Sequence, residues 1–340
     1  MSDEDYMSGV RKKYDETIVI DALNVSNWDS PAVFESVRAG GVTAFNATLV
    51  TWENYQQTMA HVAAWKRRFE AMGKWLLPVL AADDILRAKR ESRVGVILGW
   101  QNATPIENDL DNVKTFFDLG VRIIQLTFHE RNLIGNGCME RRDDGLSHFG
   151  LDAVREMNRL GILIDLSHCG DRTTLEAIEY SEMPVAFTHA NARDWHDHRR
   201  NKTDEALKSL ARHGGVVGAT AFNMFLRGGM DSTLDDYTDA IDDLVQRVGI
   251  DHVGVGTDFT QDQPQGFWDY IGSQQGTKLP SSFYDGSARR EGLCMAPQGL
   301  ETPDKMPELA AALHRRGYDA PAVAKILGEN WMRLFREVWR

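Results

Sequence analysis

The sequence predicts a single (β/α)8 barrel, an α/β fold of the TIM-barrel type. Short runs rich in Val, Ile and Leu alternate with amphipathic stretches over most of the 340 residues. Each run is apolar on both faces, as expected for a parallel strand that is buried in a barrel. A chain of this length is commonly one unit in that fold, and an open doubly wound sheet is the alternative. The eight runs are 18–21, 42–50, 94–98, 121–126, 162–166, 184–187, 215–219 and 253–256.

Helical patterns lie between these runs. Residues 151–160 place apolar side chains on neighbouring turns and charged ones on the other side. A second helix, 234–248, is predicted to begin after Thr233, a suitable N-cap residue, and to end before Gly249. Gly161 likewise closes a helix just before an apolar run. Strands that alternate with helices in this way favour a parallel barrel.

We expect the chain, 1–340, to form one domain with three additions to the barrel. They are an N-terminal extension 1–16, a long loop at about 260–297 and closing helices at about 303–338. A loop of such length is usually functional. Because it follows the eighth run, it is expected to lie over the catalytic face.

Composition narrows the class of partner. Lys and Arg number 38 against 50 Asp and Glu, and this acidic balance argues against a nucleic-acid partner. The three cysteines have no paired spacing that would indicate a disulfide framework. The first residues lack an apolar signal segment, and no run approaches the roughly 18 apolar residues that span a bilayer. We therefore expect a cytoplasmic protein with a small-molecule substrate and no membrane partner.

Polar residues follow the apolar runs, where a (β/α)8 barrel collects its chemistry. His168 follows the fifth run, His189 the sixth and Asp258 the eighth. The fold brings these positions together despite their wide separation in sequence. Neutral imidazoles with a carboxylate suit zinc or a similar divalent metal. The other runs are followed by further candidate site residues: Asn24, Gln101, Asn102 and His129.

Several longer motifs carry a family resemblance. They include Asp-Leu-Ser-His at 165–168 and Thr-His-Ala-Asn-Ala-Arg at 188–193. The remaining segments are 120–122 with 126–127, 154–161, 199–201, 214–218 and 250–259. On these motifs the chain resembles the membrane (renal-type) dipeptidase family of the amidohydrolase superfamily, over roughly residues 17–338.

The resemblance implies a site and an activity. The family pattern has two zinc ions, of which the second takes histidines after strands five and six, here His168 and His189. An Asp after strand eight handles the attacking water, here Asp258. An Arg in the loop after strand six holds the substrate carboxylate, here Arg200. The family also tends to dimerise, so the resemblance implies a homodimer.

The departures from the family pattern bear on the metal. The family has a His-x-Asp pair after strand one, where this chain has Leu23 and Val25, which cannot bind a metal. Gln101 stands where the family has a bridging Glu. The family His after strand four aligns with Phe128, and the adjacent His129 is a candidate to replace it. We therefore expect one zinc ion rather than two, with Gln101 or water completing its ligand shell.

Four residues are candidates for substrate binding. Arg200 is expected to pair with a carboxylate in a bidentate fork. Asn24 and Asn102 stand at altered strand ends, where hydrogen bonds to substrate or water replace the lost ligands. Trp28 flanks one of these ends. The segment 99–102, Gly-Trp-Gln-Asn, resembles that of a family subgroup with a similar asparagine-rich first strand.

Three functional hypotheses remain open from the sequence. The first is a mononuclear hydrolase of a dipeptide or other small carboxylated amide, with Asp258 as general base. The second keeps the metal but catalyses a decarboxylation, elimination or isomerisation. The third is a binding protein without catalysis. Release of an amine and an acid distinguishes the first from the second, and metal content distinguishes the third.

Overall fold

Eight parallel strands form the nearly closed barrel that the sequence predicts, with helices packed around them. The structure is a computed structural model that describes residues 11–282 and 292–339. Each of the eight apolar runs overlaps one strand, and the first and third of these strands extend past the ends of their runs. In ring order the strands are β1 (Ile20–Asn24), β2 (Ala44–Val50), β4 (Val94–Trp100), β5 (Val121–Gln125), β6 (Leu163–Asp165), β7 (Ala186–Phe187), β8 (Val216–Ala219) and β9 (Val253–Val255).

The sequence analysis missed one strand, β3 (Leu76–Pro78). It pairs in parallel with the first part of β4, where Leu76 lies opposite Val94 and Pro78 lies opposite Val96. The last part of β4 pairs with β5. The strand has only three residues and ends in proline, which cannot donate to a ladder. A run this short carries too little periodicity to be recognised in sequence.

Backbone contacts between the first and last strands close the ring. The amide of Val25 donates to the carbonyl of Phe259 at 2.8 Å, and the amide of Asp258 donates to the carbonyl of Leu23 at 3.0 Å. This closure brings the chain after β9 beside the chain after β1. Asp258 is therefore held at the carboxyl-terminal end of the barrel by β1, the strand beside β9 where the ring closes.

Twelve helices with defined bounds pack around the barrel or close its ends within the described residues, and residues 11–16 are helical as well. The predicted helix 234–248 has the bounds expected, with the Thr233 side chain accepting from the amide of Asp236. Gly161 ends another helix in the left-handed conformation, as predicted. The helices are α1 (Pro31–Ala39), α2 (Tyr55–Ala71), α3 (Ala82–Arg90), α4 (Asp111–Asp118), α5 (His148–Leu160), α6 (Asp171–Tyr180), α7 (Asp204–Arg212), α8 (Leu234–Val248), α9 (Gln265–Ile271), α10 (Met306–Arg315), α11 (Ala320–Ala324) and α12 (Asn330–Val338).

The last helix closes the amino-terminal end of the barrel. Trp331 and Phe335 of α12 belong to one buried apolar cluster with the first residues of several strands, such as Ile20 and Val216. The indole nitrogen of Trp331 donates to the carbonyl of Val255 at 3.1 Å. This end of the barrel is therefore filled by apolar side chains.

The predicted additions to the barrel are partly described. The closing region 303–338 contains α10, α11 and α12, and the long loop 260–297 contains the short helix α9. Residues 1–10 of the predicted extension and 283–291 of the loop lie outside the described residues. The single-domain assignment stays a prediction. No helix in the described part of the chain is long and apolar enough to cross a bilayer.

Candidate metal centre and active site

His168 and His189 meet at the carboxyl-terminal end of the barrel. His168 lies just beyond β6 and His189 just beyond β7, and their Nε2 atoms are 2.9 Å apart. Both rings are buried. Burial first, and then the charge of Arg200, lower the pKa of both imidazoles well below its ordinary value. Both rings are therefore neutral at neutral pH, which is the form that binds metals.

Hydrogen bonds fix the proton of the neutral His189 ring on Nδ1 rather than on Nε2. The hydroxyl of Thr188 donates to the Asp165 carboxylate at 2.5 Å, which uses its single proton. The same oxygen lies 2.8 Å from Nδ1 of His189 and must therefore accept from it. Nε2 of His189 is left with a free lone pair directed at His168. A metal-binding histidine is usually oriented in this way, through its other nitrogen.

The histidine pair fits one cation. Two nitrogens bound to one tetrahedral zinc ion at about 2.0–2.1 Å lie about 3.3 Å apart, close to the separation seen between His168 and His189. Within residues 11–282 and 292–339, no group of three His, Cys, Asp or Glu side chains is placed to hold a metal. The side chains described thus offer two nitrogen ligands and leave the other coordination positions to amide oxygen, water or substrate.

Asp258 is held in an unusual backbone conformation beside this pair. Its φ is +61°, in the left-handed region that Asp and Asn tolerate better than most residues. The preceding residue, Thr257, donates to the buried Asp21 carboxylate through both its amide and its hydroxyl, each at 2.8 Å. Strained backbone of this kind persists where the surroundings enforce it, often at functional sites.

The electrostatic setting of Asp258 shifts its carboxyl group toward neutral pH. Burial raises the pKa of its carboxyl group to about 7, against the opposing charge of Arg200, and the carboxylates of Asp21 and Asp165 raise it further. A general base works best when its pKa lies near the operating pH. In the metal-free chain the pKa of the Asp258 carboxyl group therefore lies near neutral pH.

A cavity of about 270 Å³ opens beside these residues. Its wall is mainly apolar and comes from the segments after β1, β5, β8 and β9. The apolar lining residues are Val25, Phe128, Met139, Phe222, Met224, Phe225, Phe267, Trp268 and Ile271. The polar lining residues are Thr51, Gln101, His129, His168, His198, Asp258 and Thr260.

Five of the predicted site residues thus line this cavity or belong to the histidine pair, His168 and His189, at its edge. Gln101, His129, His168 and Asp258 line the cavity, and His189 lies behind His168. The ring of His129 stacks with Phe128 at a centroid distance of 4.0 Å, and Phe128 stacks in turn with His168. Burial, and then the charges of Arg200 and His198, lower the pKa of His129 to about 3, so this ring is neutral.

The predicted substrate-binding asparagines make internal contacts instead. The Asn24 amide donates to Asp21 at 3.1 Å and accepts from the amide of Ser26 at 3.0 Å. The Asn102 amide donates to the carbonyl of Thr51 at 2.8 Å and accepts from Asn132 at 2.9 Å. Neither lines the cavity: Asn24 bonds within its own segment, and Asn102 joins the segments that carry Thr51 and Asn132.

Trp28 and Arg200 are also placed away from the cavity wall. Trp28 stacks on Phe45 and lines a neighbouring cavity of about 470 Å³. Arg200 has no exposed surface, and its terminal nitrogens donate to the carbonyls of Ser167 and His189 at 2.6 Å each. The guanidinium therefore joins the two backbones that carry the histidines. A sequence pattern can locate an arginine in a loop but cannot say which way the side chain turns.

Two buried carboxylates and one histidine were missed as site residues. Asp165 positions His189 through Thr188, and Asp21 positions Asp258 through Thr257. The signal was present in the sequence: His189 and Asp258 each directly follow a threonine, and the aspartate that this threonine contacts belongs to a strand adjacent in the ring. His198, which lines the cavity, lies in a loop with no such pattern.

Comparisons with known proteins decide the family. The family model described as membrane dipeptidase (peptidase family M19) matches residues 7–275 and 286–340. The chain belongs to the membrane dipeptidase family. Members of this family are metallopeptidases, so membership implies a metal cofactor.

Solved structures and curated relatives agree with this membership. An amidohydrolase from Pseudomonas aeruginosa is 39% identical, with a TM-score of 0.92 over 97% of this chain and 99% of that chain. A dipeptidase described as a metallopeptidase of family M19 shares the fold, with 23% identity and a TM-score of 0.76 over 95% of this chain and 99% of that one. An uncharacterized dipeptidase of Schizosaccharomyces pombe is 29% identical over 75% of this chain. The chain spans only 56% of that relative's length.

Where the family pattern has a His-x-Asp pair after strand one to bind its first zinc ion, this chain has the apolar side chains of Leu23 and Val25. Leu23 is buried in the core and Val25 lines the cavity. Gln101 lies at the cavity with its amide nitrogen donating to Thr48 at 3.2 Å. The side chains of Leu23 and Val25 carry no atom that can coordinate a cation, and Gln101 offers one amide oxygen.

Proposed function

We propose that this chain is a metal-dependent hydrolase of small peptides or amides that uses one zinc ion held by His168 and His189. The proposal rests on the 2.9 Å separation of the Nε2 atoms of His168 and His189. The Nδ1 atom of His189 donates to the hydroxyl of Thr188, which leaves its Nε2 atom able to bind a metal. Gln101 is the proposed third protein ligand, through its amide oxygen. A bound divalent cation polarises a substrate carbonyl and lowers the pKa of water to about 7.

Asp258 is the proposed proton carrier. Water attacks the carbonyl carbon of the scissile amide, and Asp258 accepts the proton that the water loses. The carbon–nitrogen bond then breaks, and Asp258 returns the proton to the leaving nitrogen. Burial raises the pKa of Asp258 to about 7 in the metal-free chain, which brings the carboxyl group near the range that suits a general base at neutral pH.

His129 is the proposed hydrogen-bond donor to the substrate. It is neutral, it lines the same cavity as His168 and its ring is fixed by stacking on Phe128. A neutral imidazole that donates to the carbonyl oxygen stabilises the negative charge that develops there during attack.

Metal quantification tests the central assignment. We expect about one zinc ion per chain in the parent protein and less than about 0.2 in His168→Ala, because removal of one of two nitrogen ligands leaves the ion weakly held. His252→Ala is the matched control, since its ring contacts the carbonyl of Gly215 at the opposite end of the barrel. Zinc retained by His168→Ala would overturn the assignment.

Product analysis tests the reaction. Hydrolysis releases an amine and an acid from a peptide in equal amounts, which mass spectrometry detects with zinc-loaded protein. Loss of carbon dioxide or a shifted double bond would instead support the non-hydrolytic alternative. A zinc-loaded protein that binds peptides and turns none over would support the binding-protein alternative.

A further inference from the structure

The neighbouring cavity of about 470 Å³ adjoins the cavity that contains His168 and Asp258, which is here called the catalytic cavity. It lies between the segments after β1 and β2, helix α2 and helix α9. Three residues, Val25, Thr51 and Phe267, line both cavities. A substrate bound at the histidine pair therefore has a second space within reach, on the side of β1 and β2.

Two residues that depart from the family pattern lie at the boundary between the two cavities. Val25 stands where the family has an aspartate, and it lines both cavities. Gln101 stands where the family has the bridging glutamate, and it lines the catalytic cavity. Its side-chain amide donates to Thr48 at 3.2 Å and its backbone amide to the carbonyl of Val50 at 2.9 Å, and both of these residues line the neighbouring cavity. Uncharged side chains thus replace two carboxylates at this boundary, which suits an uncharged part of a substrate.

Two tryptophans form a fixed aromatic surface in the neighbouring cavity. Trp28 stacks on Phe45 at a centroid distance of 4.8 Å, and its ring centroid lies 5.5 Å from that of Trp65. The guanidinium of Arg68 lies 5.2 Å from the centre of the Trp65 ring, and its Nε donates to the carbonyl of Trp28 at 3.1 Å. Arg68 also pairs with Asp29. Because the protein already holds both rings in place, a ligand that contacts them pays little ordering cost.

The carboxylate of Glu53 ties two walls of the neighbouring cavity together. It accepts from the backbone amides of Thr51 and Trp52 at 2.6 Å and 3.0 Å. It also hydrogen-bonds to Tyr270 of α9. This carboxylate is therefore used within the protein, and the tryptophan rings are the surface on which a ligand can pack. An aromatic ring gains more from such a surface than a methyl group does, through greater buried area and favourable ring geometry.

We infer that the neighbouring cavity binds an aromatic group of the substrate that lies beyond the scissile amide, so that the chain prefers aryl-substituted peptides to unsubstituted dipeptides. The scissile amide lies at the histidine pair in the catalytic cavity. The linking atoms pass Val25, and the aromatic group packs on Trp28 and Trp65. This inference rests on the proposed hydrolytic function and specifies its substrate class.

Matched substrate pairs test the inference. Zinc-loaded protein is assayed for cleavage of the Gly–Gly bond in benzoyl-Gly-Gly against acetyl-Gly-Gly, and in Gly-Gly-benzylamide against Gly-Gly-methylamide. One member of each pair carries a phenyl ring, on the acyl side of the bond in the first pair and on the amine side in the second. We expect kcat/KM to be about tenfold or more higher for the phenyl-bearing member of at least one pair. A difference below about threefold in both pairs would overturn the inference and leave the hydrolase proposal intact.

A substitution on α2 assigns the preference to the neighbouring cavity. Ala64 lines this cavity and not the catalytic one, so Ala64→Phe fills the space without touching the histidine pair. We expect the phenyl preference to fall below about threefold, while kcat/KM for the substrate without the ring stays within about twofold of the parent value. Ala60→Phe is the matched control and keeps the parent preference, because Ala60 is an exposed residue of the same helix that lines neither cavity. A preference that survives in Ala64→Phe would overturn the inference, and Ala64→Leu decides the same comparison if Ala64→Phe does not fold.

Calorimetry separates this inference from the proposed reaction. Benzoyl-glycinamide and acetyl-glycinamide are titrated into zinc-loaded Asp258→Asn protein, in which turnover is expected to be slow. We expect the benzoyl compound to bind about tenfold or more tightly than the acetyl compound, and the difference to fall below about threefold when Ala64→Phe is added. If the parent protein hydrolyses no peptide, the hydrolase proposal fails while this comparison still decides whether the cavity binds an aromatic group. Binding of the two compounds within about threefold before Ala64→Phe is added would overturn the inference.

Discussion

Replacing Asp258 by Asn separates the chemistry of this carboxyl group from its cost to the fold. Asparagine has nearly the same shape and tolerates the left-handed backbone at this position, where φ is +61°. The substitution therefore removes the charge and the proton-accepting group without adding backbone strain. Alanine would do both at once and would be harder to interpret.

The expected change in stability follows from the pKa. Burial raises the pKa of Asp258 to about 7, so the folded protein keeps a proton that the unfolded chain releases above about pH 4. The unfolded state then binds fewer protons, and the free energy of unfolding of the metal-free protein falls as pH rises to about 7. At pH 8 the ionised carboxylate costs at most about 4 kcal/mol. We expect Asp258→Asn to be more stable by up to that amount, and about 2 kcal/mol of the gain to appear between pH 5.5 and pH 8.

Urea unfolding in the presence of a chelator measures this difference at the two pH values. Asp262→Asn is the matched control, because Asp262 is an exposed residue of the same loop with a φ of +60°. We expect the control to change stability by less than about 0.5 kcal/mol at either pH. An Asp258→Asn protein whose advantage does not grow with pH would refute the argument from the buried charge.

The same variant tests the proposed chemistry. We expect kcat/KM of zinc-loaded Asp258→Asn to fall by about 10²–10⁴-fold, the usual contribution of a general base. In the parent, kcat/KM should rise with pH along a limb at or below about pH 7, because the base must be ionised and a bound cation favours the ionised form. Activity within about threefold of the parent would exclude Asp258 as the proton carrier.

The remaining predictions concern Thr188, which contacts His189, and Gly256, which packs against Thr188. Thr188→Val removes the acceptor for Nδ1 of His189 and the donor to Asp165, so zinc affinity should fall about 10–100-fold in competition with a chromophoric chelator; an unchanged affinity would contradict the assigned tautomer. Gly256→Ala would place a Cβ 1.7 Å from the carbonyl oxygen of Thr188, so we expect a loss of at least about 1–3 kcal/mol in urea unfolding. Gly266→Ala, which meets nothing within 4 Å, is the control, and an equal loss there would show that the close approach is not the cause.

The ring of strands and the two histidines, His168 and His189, could be predicted because both follow from the pattern of neighbouring residues in the sequence. Each of the eight runs that are apolar on both faces overlaps a strand. Residues just beyond the carboxyl ends of parallel strands meet at one end of a barrel, so His168 and His189 converge although their sequence positions are far apart. The cap residues Thr233 and Gly249 act locally and marked a helix whose predicted bounds agree with the structure.

The directions of side chains in loops could not be predicted in this way. Arg200 donates to two buried backbone carbonyls. Trp28 lines a neighbouring cavity rather than the cavity that contains His168. Loop residues have no periodicity, so the path of the chain and the partners available decide where each side chain points.

The amino-acid sequence by itself determined the barrel, the end of the barrel that carries chemistry and the two histidines with Asp258 placed there. Only the tertiary structure decided that buried carboxylates position these groups, and that the cations after β7 bind backbone carbonyls beside them. The physical reason is that strand and helix periodicity is written in neighbouring residues, whereas burial and hydrogen-bond partners are set by residues distant in the chain. The pKa of Asp258 is a property of that assembled environment, since burial and the charges around it come from several strands and loops.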